Sequence, residues 1–187
     1  MPVAEPMTAE QFLALPDPGP GWPVSLVDGE VVMNDPTALH NHVQGRLYVA
    51  LDSWIAEGSG RGCAFLPLDV QMDATNVFKP DISWYAAARA PDPRSPRPYP
   101  LPNLAVEIRS PSTWTYDIGA KRVTYEREGL PELWLIDTAA ETVLVFRRTE
   151  ATSPAFDVAL ELEASDRLTS PQLAGFGVAV GELFPAR

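Results

Sequence analysis

The chain contains 187 residues, of which 45% are hydrophobic, and its formal net charge is −11. This length suits one domain spanning residues 1–187 with a full apolar core. The single cysteine, Cys63, excludes an internal disulfide and a thiolate metal cluster, and two histidines are too few for a multi-histidine zinc site. We see no signal peptide and no apolar run as long as a membrane span, so we expect a cytoplasmic protein without a membrane partner.

The negative charge is unevenly distributed along the chain. Residues 79–127 contain eight basic and five acidic residues, whereas residues 1–78 contain two and ten, and residues 128–187 four and ten. Net negative charge argues against nucleic-acid binding, because such binding depends on neutralising phosphates. An acidic protein can still carry a local phosphate-binding surface. The basic excess of residues 79–127 fits such a surface, and it fits chance clustering equally well.

The first third of the chain predicts a short helix, a hairpin and a long helix. Thr8-Ala9-Glu10-Gln11 fits a capping box that starts a helix ending near Pro16. Asp28-Gly29 is a tight-turn signal, which predicts a hairpin over residues 25–33 with Glu30 just after the turn. Apolar residues at helical spacing then predict a longer helix that ends at Gly58 and Gly60. This apolar stripe comprises Leu39, Val43, Leu47, Leu51, Trp54 and Ile55.

The remainder of the chain alternates between predicted strands and one helix. Residues 63–72 and 77–84 predict paired strands around a turn, and the proline-rich residues 86–102 predict a long exposed loop. The further elements in chain order are a central strand at 103–109, a helix at 115–128, strands at 133–137, 142–146 and 156–162, and a final strand with a short helical turn within 173–184. Together these elements predict an α/β fold with a mixed β-sheet flanked by helices.

Two predicted strands each carry one acid within an apolar run. Glu107 lies between Val106 and Ile108, and Asp81 follows Pro80. Burying a carboxylate is costly unless it is neutralised, hydrogen-bonded or bound to a cation. Two such carboxylates on neighbouring strands could together hold a hard divalent metal. The alternatives are an edge-strand acid facing water for Asp81, because Pro favours strand edges, and an inward ion pair with Arg or Lys for Glu107.

Four other residues are weaker candidates for the same site. Lys121 follows Asp117 by four residues on the predicted helix, so the two form either a solvent-exposed ion pair or part of a site where the ammonium stabilises phosphate charge. Tyr125 shares that helix face. Glu30 could be a third carboxylate or an exposed strand residue. His40, in the first turn of the long helix, could be a surface residue or the partner of a nearby carboxylate.

With these residues, the chain resembles the Uma2 family of restriction endonucleases. The resemblance runs in the family's order from about Met7 to Phe184. The matching pieces are Leu26-Val27-Asp28-Gly29-Glu30, His40, Pro80-Asp81-Ile82-Ser83, Leu104-Ala105-Val106-Glu107-Ile108, Ser110-Pro111-Ser112-Thr113, Asp117-Ile118-Gly119-Ala120-Lys121, Tyr125 and Gly129-Leu130-Pro131-Glu132-Leu133-Trp134-Leu135-Ile136-Asp137.

The resemblance implies a restriction-endonuclease-like fold with a PD-(D/E)xK type of active site. By that pattern Asp81 and Glu107 are metal ligands, with the carbonyl of Ile108 and the additional acid Glu30, and the ion is Mg²⁺ or Mn²⁺. The motif lysine position holds Arg109, which stays charged and is a poor proton acceptor.

Members of the family supply the lysine from the following helix, which corresponds to Lys121 here. Arg109, His40, Asp117 and Tyr125 are then accessory residues or substrate contacts. The implied protein is a metal-dependent endonuclease acting on nucleic acid, which we expect to be DNA, and it is expected to form a homodimer. Two alternatives remain: a non-catalytic member of the fold that oligomerises or binds, and a metal-dependent hydrolase with another substrate.

Overall fold

A short helix and a hairpin open the part of the chain that the structure describes. The structure is a computed structural model, and it describes residues 5–16 and 24–186. Helix α1 (Ala9–Ala14) begins at the predicted capping box, in which the Thr8 hydroxyl accepts a hydrogen bond from the Gln11 backbone N–H and the Gln11 side chain accepts one from the Thr8 N–H. The predicted helix is therefore confirmed.

The predicted hairpin forms from strands β1 (Val24–Val27) and β2 (Glu30–Met33). Its two turn residues, Asp28 and Gly29, have φ values of 49° and 79°. Two consecutive positive φ values are typical of a turn that matches the twist of the flanking strands. A Cβ atom on Gly29 would lie 2.4 Å from the Pro6 Cβ, so only glycine fits beside the N-terminal segment.

The predicted long helix is α2 (Ala38–Ala56), and Thr37 caps it by accepting a hydrogen bond from the His40 N–H at 3.2 Å. Four members of its apolar stripe are buried in the largest of the three hydrophobic clusters that the described residues form: Val43, Leu47, Leu51 and Trp54. This cluster lies between α2 and one face of the central sheet. The helix shares that face with C-terminal residues, since Phe176 stacks on Trp134 of the sheet.

The strands predicted at 63–72 and 77–84 are each interrupted. They form β3 (Cys63–Phe65), β4 (Val70–Gln71), β5 (Val77–Phe78) and β6 (Ile82–Tyr85). The predicted pairing is retained, because β4 pairs with β5 and β3 with β6 in one continuous antiparallel register. The two pairs nevertheless belong to different sheets. Pro67 and Pro80 lie in the interruption, where they cannot donate ladder hydrogen bonds.

The central sheet has six strands in the order β10-β9-β8-β7-β6-β3. Its remaining strands are β7 (Leu104–Ile108), β8 (Glu132–Asp137), β9 (Thr142–Arg147) and β10 (Val158–Leu162). Strands β7 and β8 are parallel, and the other neighbours in this sheet are antiparallel. The sheet is therefore mixed, as predicted, and β7 lies in its interior.

Smaller elements complete the described part of the chain. A second sheet of four strands has the order β2-β1-β5-β4. Strands β11 (Arg167–Leu168) and β12 (Val178–Ala179) form a separate pair, and 3₁₀ turns occur at Ala87–Arg89 and Val180–Leu183. The tail therefore has the predicted strand and short helical turn. Within the two described ranges, no helix is long and apolar enough to cross a membrane.

The connection between the parallel strands β7 and β8 carries the third helical region. It consists of α3 (Trp114–Tyr116), a π-helical segment (Asp117–Lys121) and α4 (Arg122–Arg127). The prediction of one continuous helix was wrong here, because Gly119 leaves helical geometry at φ −104° and ψ −106°. This region covers the sheet face opposite α2, where Tyr125 packs in a second cluster with Ala105, Leu133 and Leu135.

Candidate active site

Asp81 lies immediately before β6 and is only 2% exposed. Strand β6 lies between β7 and β3, so the alternative of an edge-strand acid facing water is wrong. The Asp81 carboxylate accepts a 2.7 Å hydrogen bond from the backbone N–H of Ile108, and the Gln44 side chain donates a 2.8 Å bond to the Asp81 carbonyl. These bonds fix the acid against the end of β7.

Glu107 lies on β7 and is 3% exposed. Since Ile82 pairs with Val106 in the antiparallel ladder, the same register continued by one residue places Asp81 opposite Glu107. Residues opposite each other in a ladder project to the same side of the sheet. The two acids therefore meet on the face that the π-helical segment and α4 cover.

The Glu107 carboxylate has two partners in this region. Its Oε1 atom accepts a 2.8 Å hydrogen bond from the Tyr125 hydroxyl and lies 3.2 Å from Lys121 Nζ. Burial raises the pKa of Glu107 to about 8, and the charges of Asp117 and Asp81 add to this rise, although Lys121 and Tyr125 oppose it. The predicted inward ion pair with lysine is present.

Lys121 also forms an ion pair with Asp117, whose Oδ1 atom lies 2.8 Å from Nζ. Both side chains are almost fully buried, so the alternative of a solvent-exposed pair is wrong. Burial lowers the pKa of Lys121, but the charges of Asp117 and Glu107 outweigh burial and raise that pKa above its ordinary value. Lys121 is thus a buried ammonium shared by two carboxylates.

Sequence reasoning missed a group of hydroxyl side chains behind Asp117. Thr113 Oγ1 donates a 3.1 Å hydrogen bond to Asp117 Oδ2, and Ser110 Oγ lies 2.8 Å from Thr113 Oγ1. The Ser-Pro-Ser-Thr motif was visible in the sequence, but only its place in the resemblance marked it. Gln44 was missed for a similar reason, because a polar residue within a helix gives no sign of which carbonyl it will contact.

His40 is 2% exposed, and its Nε2 atom lies 3.1 Å from Asp81 Oδ2. Burial lowers the pKa of this imidazole, but the close Asp81 carboxylate outweighs burial, and the pKa lies above its ordinary value. Of the two predicted positions for His40, the structure shows the partner of a carboxylate. The residue lies closer to the acids than the sequence indicated.

Glu30 and Arg109 lie apart from these contacts. Glu30 is exposed at the start of β2, and in residues 5–16 and 24–186 no hydrogen bond or ion pair joins it to Asp81 or Glu107. The Arg109 guanidinium lies 2.9 Å from both carboxylate oxygens of Asp137, and it stacks over the Trp114 ring at 5.5 Å. The cation at the motif lysine position is therefore directed to the end of β8.

A comparison with known families identifies the family of this chain. The family model of Uma2, described as "Putative restriction endonuclease", matches residues 9–181. The chain belongs to the Uma2 family. No curated protein matches this Uma2 chain.

A solved structure has the same fold as this Uma2 protein. The crystal structure described as "a putative nuclease belonging to DUF820 from Anabaena variabilis ATCC 29413" matches with a TM-score of 0.77 at 22% sequence identity. The match covers 96% of this chain and 98% of that one. The predicted restriction-endonuclease-like α/β fold, with its mixed sheet flanked by helices, is therefore confirmed.

The acids of the Uma2 site offer a limited set of metal ligands. In the part of the chain that the structure describes, no cluster of three or more His, Cys, Asp or Glu side chains could hold a metal ion. There, however, no hydrogen bond reaches Asp81 Oδ1 or Glu107 Oε2, because the described partners contact the other oxygen of each carboxylate. Carboxylate oxygens are the ligand type that Mg²⁺ takes, and this ion keeps several waters where only one or two carboxylates hold it.

Proposed function

We propose that this Uma2 protein is an endonuclease that uses Mg²⁺ or Mn²⁺ to hydrolyse phosphodiester bonds in DNA. One observation carries the proposal: two buried acids, Asp81 and Glu107, occupy facing positions at the β6–β7 pair, and a buried ammonium lies 3.2 Å from one of them. Burying this many charges is costly, and such clusters of perturbed groups are typical of functional sites.

Asp81 and Glu107 would hold the cation, with the carbonyl of Ile108 beside them. When bound, the cation polarises the phosphodiester and lowers the pKa of a water. Glu30 is not included in this set, because its side chain is exposed and no described contact joins it to either acid. This leaves two carboxylates and a backbone oxygen, which is compatible with an ion that keeps part of its hydration shell.

The surrounding side chains orient these acids. Tyr125 and Lys121 fix one oxygen of Glu107, and Ile108 and His40 fix one oxygen of Asp81. The Lys121 ammonium would stabilise the negative charge that develops on the phosphate, in a buried place where such a charge is weakly screened. Each of these contacts is present in the structure without substrate.

Nucleic acid as the substrate is supported by the family and by the basic residues of 79–127. In this segment Arg89 and Arg94 are exposed, and they could contact phosphates. Arg97 is unsuitable, because it binds Asp69 and the carbonyls of α1's C-terminal end. A homodimer belongs to the same proposal, since cutting both strands of a duplex is simplest for a two-fold symmetric enzyme.

Replacing Glu107 tests the proposal. Wild-type protein should nick supercoiled plasmid DNA with Mg²⁺ or Mn²⁺, and Glu107→Gln should abolish nicking because it removes a charged ligand while keeping the side chain's shape. Calorimetric titration of Mg²⁺ should show binding to the wild type and none to Glu107→Gln or Asp81→Ala.

A matched control is Glu132→Gln. Glu132 is also a buried glutamate in the central sheet, but it accepts hydrogen bonds from Trp134, Ser170 and Gln172 and lies outside the site. This variant should keep both Mg²⁺ binding and nicking. Plasmid cleavage at an unchanged rate by Glu107→Gln would contradict the proposal.

The ion pairs themselves favour a second candidate, a non-catalytic member of the fold that oligomerises or binds. Lys121 already lies against Glu107, and His40 against Asp81, so both acids have cationic or polar partners without a metal. In that case the cluster serves the stability of the fold. Mg²⁺ would then leave the melting temperature of the wild type unchanged, and no nicking would be seen.

A further inference from the structure

Two carboxylates contact the Lys121 ammonium at different distances. Its Nζ atom lies 2.8 Å from Asp117 Oδ1 and 3.2 Å from Glu107 Oε1. The proposed function requires Glu107 to bind a cation. Asp117 is then the carboxylate that still balances the charge of the Lys121 ammonium. A buried ammonium without a close anion would be unfavourable. The position of Lys121 during a reaction would therefore depend on Asp117.

Asp117 is itself fixed by a chain of buried hydroxyls. Its Oδ2 atom accepts a hydrogen bond from Thr113 Oγ1 at 3.1 Å, and Thr113 Oγ1 lies 2.8 Å from Ser110 Oγ. All three residues are at most 3% exposed. One carboxylate oxygen of Asp117 therefore contacts Lys121, and the other accepts the hydrogen bond from Thr113.

The hydroxyl chain returns to the strand that carries Glu107. Ser110 follows the end of β7 by two residues, and backbone hydrogen bonds from Trp114 N–H to the Ser110 carbonyl and from Asp117 N–H to the Thr113 carbonyl hold the same turn. The acid on β7 and the lysine on the helical connection are consequently joined by a closed path through side chains. Such a path fixes their separation more tightly than the backbone of the connection alone could.

The geometry points to Asp117 as a positioning residue, which, together with Thr113 and Ser110, sets the place of the Lys121 ammonium beside Glu107. This assignment rests on the proposed function for its effect on turnover. It does not make Asp117 a ligand of the cation: Oδ1 faces the Lys121 ammonium at 2.8 Å as an ion pair without hydrogen-bond geometry, and Oδ2 accepts the Thr113 hydrogen bond.

A labelling experiment tests the positioning without using activity. The chain has two lysines, Lys79 and Lys121, so an amine-acylating reagent followed by peptide mass spectrometry reports each separately. Asp117→Asn should accelerate labelling of Lys121 by about 10-fold or more, because an ammonium that has lost a nearby anion gives up its proton more readily and the neutral amine is the form that reacts. Lys79 is paired with Asp69 and serves as the internal reference, with unchanged labelling.

Conservative variants separate positioning from general structure. Thr113→Val should accelerate Lys121 labelling about fivefold, the scale of one hydrogen bond, and Thr113→Ser should restore the wild-type rate because it keeps the hydroxyl. Asp157→Asn is the matched control, since Asp157 likewise accepts bonds from threonine and serine hydroxyls, and within the described residues none of its bonds reaches Lys121, Asp117 or Glu107. It should leave Lys121 labelling unchanged.

The kinetics of plasmid nicking provide a second test of the positioning role of Asp117. Asp117→Asn should lower kcat by about 10- to 100-fold with little change in KM, while calorimetric Mg²⁺ affinity stays the same. Unchanged Lys121 labelling in Asp117→Asn, or equal acceleration at Lys79 and Lys121, would overturn the assignment. A wild type that fails to nick DNA would defeat the proposed function instead, and the labelling result would still decide the role of Asp117.

Discussion

Two ion pairs begin two residues apart on the chain and serve different purposes. Glu107 and Lys121 form a buried pair, with side chains 4% and 6% exposed. Arg109 and Asp137 form a pair near the surface, with side chains 34% and 16% exposed. Asp137 Oδ1 also accepts hydrogen bonds from the N–H groups of Ala139 and Ala140, so this second pair closes the turn after β8.

The comparison explains why position in a motif is an insufficient guide to role. Arg109 occupies the position that the sequence pattern reserves for the lysine, but Asp137 holds its guanidinium at the end of β8. Lys121 comes from a helix fourteen residues later along the chain than Glu107 and still reaches the acid. A site of this kind is specified by which carboxylate a cation reaches, and the spacing along one strand does not determine that.

The largest effect is expected from removing the buried cation. Lys121→Met keeps the length of the side chain but leaves Asp117 buried without its counter-ion and Glu107 without its Nζ contact, so the free energy of unfolding should fall by about 3–5 kcal/mol. Urea unfolding at neutral pH measures the change. If Lys121→Met lost less free energy of unfolding than Arg109→Ala, the buried pair and the surface pair would not differ as described.

A smaller effect is expected in the pH dependence of the free energy of unfolding, to which Glu107 and Asp137 should contribute in opposite directions. The folded pKa of Glu107 is raised to about 8, so between about pH 4.5 and 8 the folded state binds a proton that the unfolded state has lost. Stability should therefore fall as the pH rises through this window. His40, whose pKa is also raised, contributes in the same direction, because its stabilisation is lost as the pH rises through its folded value.

Unfolding curves of wild type and Glu107→Gln across pH 4.5 to 8 isolate the Glu107 contribution, and the fall should be shallower in the variant. Asp137 should behave in the opposite sense. Burial raises the pKa of Asp137, but the Ala139 and Ala140 N–H groups and Arg109 outweigh burial and lower it, so its stabilisation is present above its unfolded pKa and is lost as the pH falls. A wild-type curve that is flat above pH 4.5 would contradict the Glu107 assignment.

The smallest effect is expected at the surface pair. Arg109→Ala should reduce the free energy of unfolding by less than about 1 kcal/mol, because water screens a pair of this exposure and Asp137 keeps its turn hydrogen bonds. Thermal melting of the variant beside Arg109→Lys measures it. A loss of several kcal/mol in Arg109→Ala would mean that this pair is as important to the fold as the buried one.

Local patterns were sufficient to predict most of the fold. The Thr8 capping box, the Asp28-Gly29 turn and the apolar stripe of α2 depend on neighbours within a few residues, so the sequence displays them directly. The pairing of residues 63–72 with 77–84 was also predictable. Its division between two sheets was not, because the division depends on how the ladder bends around Pro67 and Pro80, and that is a matter of packing.

The candidate site was predictable in its acids and less so in their surroundings. Glu107 was conspicuous because an acid within an apolar strand is unusual. His40 was underrated because a histidine in a first helical turn gives no sign that it will face Asp81, and the π-helical segment was missed because Gly119 within an otherwise regular helix pattern is common. These features depend on contacts between distant parts of the chain.

The parallel alignment of β7 and β8 has a consequence for how this protein could change over generations. Parallel neighbours must be joined by a segment that travels back along the sheet, and here that return path bears Lys121. Deleting this connecting segment would separate β7 from β8 at the centre of the sheet. Related proteins therefore cannot lose the segment that contains Lys121 and remain folded. If the proposed function holds, relatives that have lost the activity should therefore show single-residue replacements at the acids or the lysine within an intact fold, and not shortened chains.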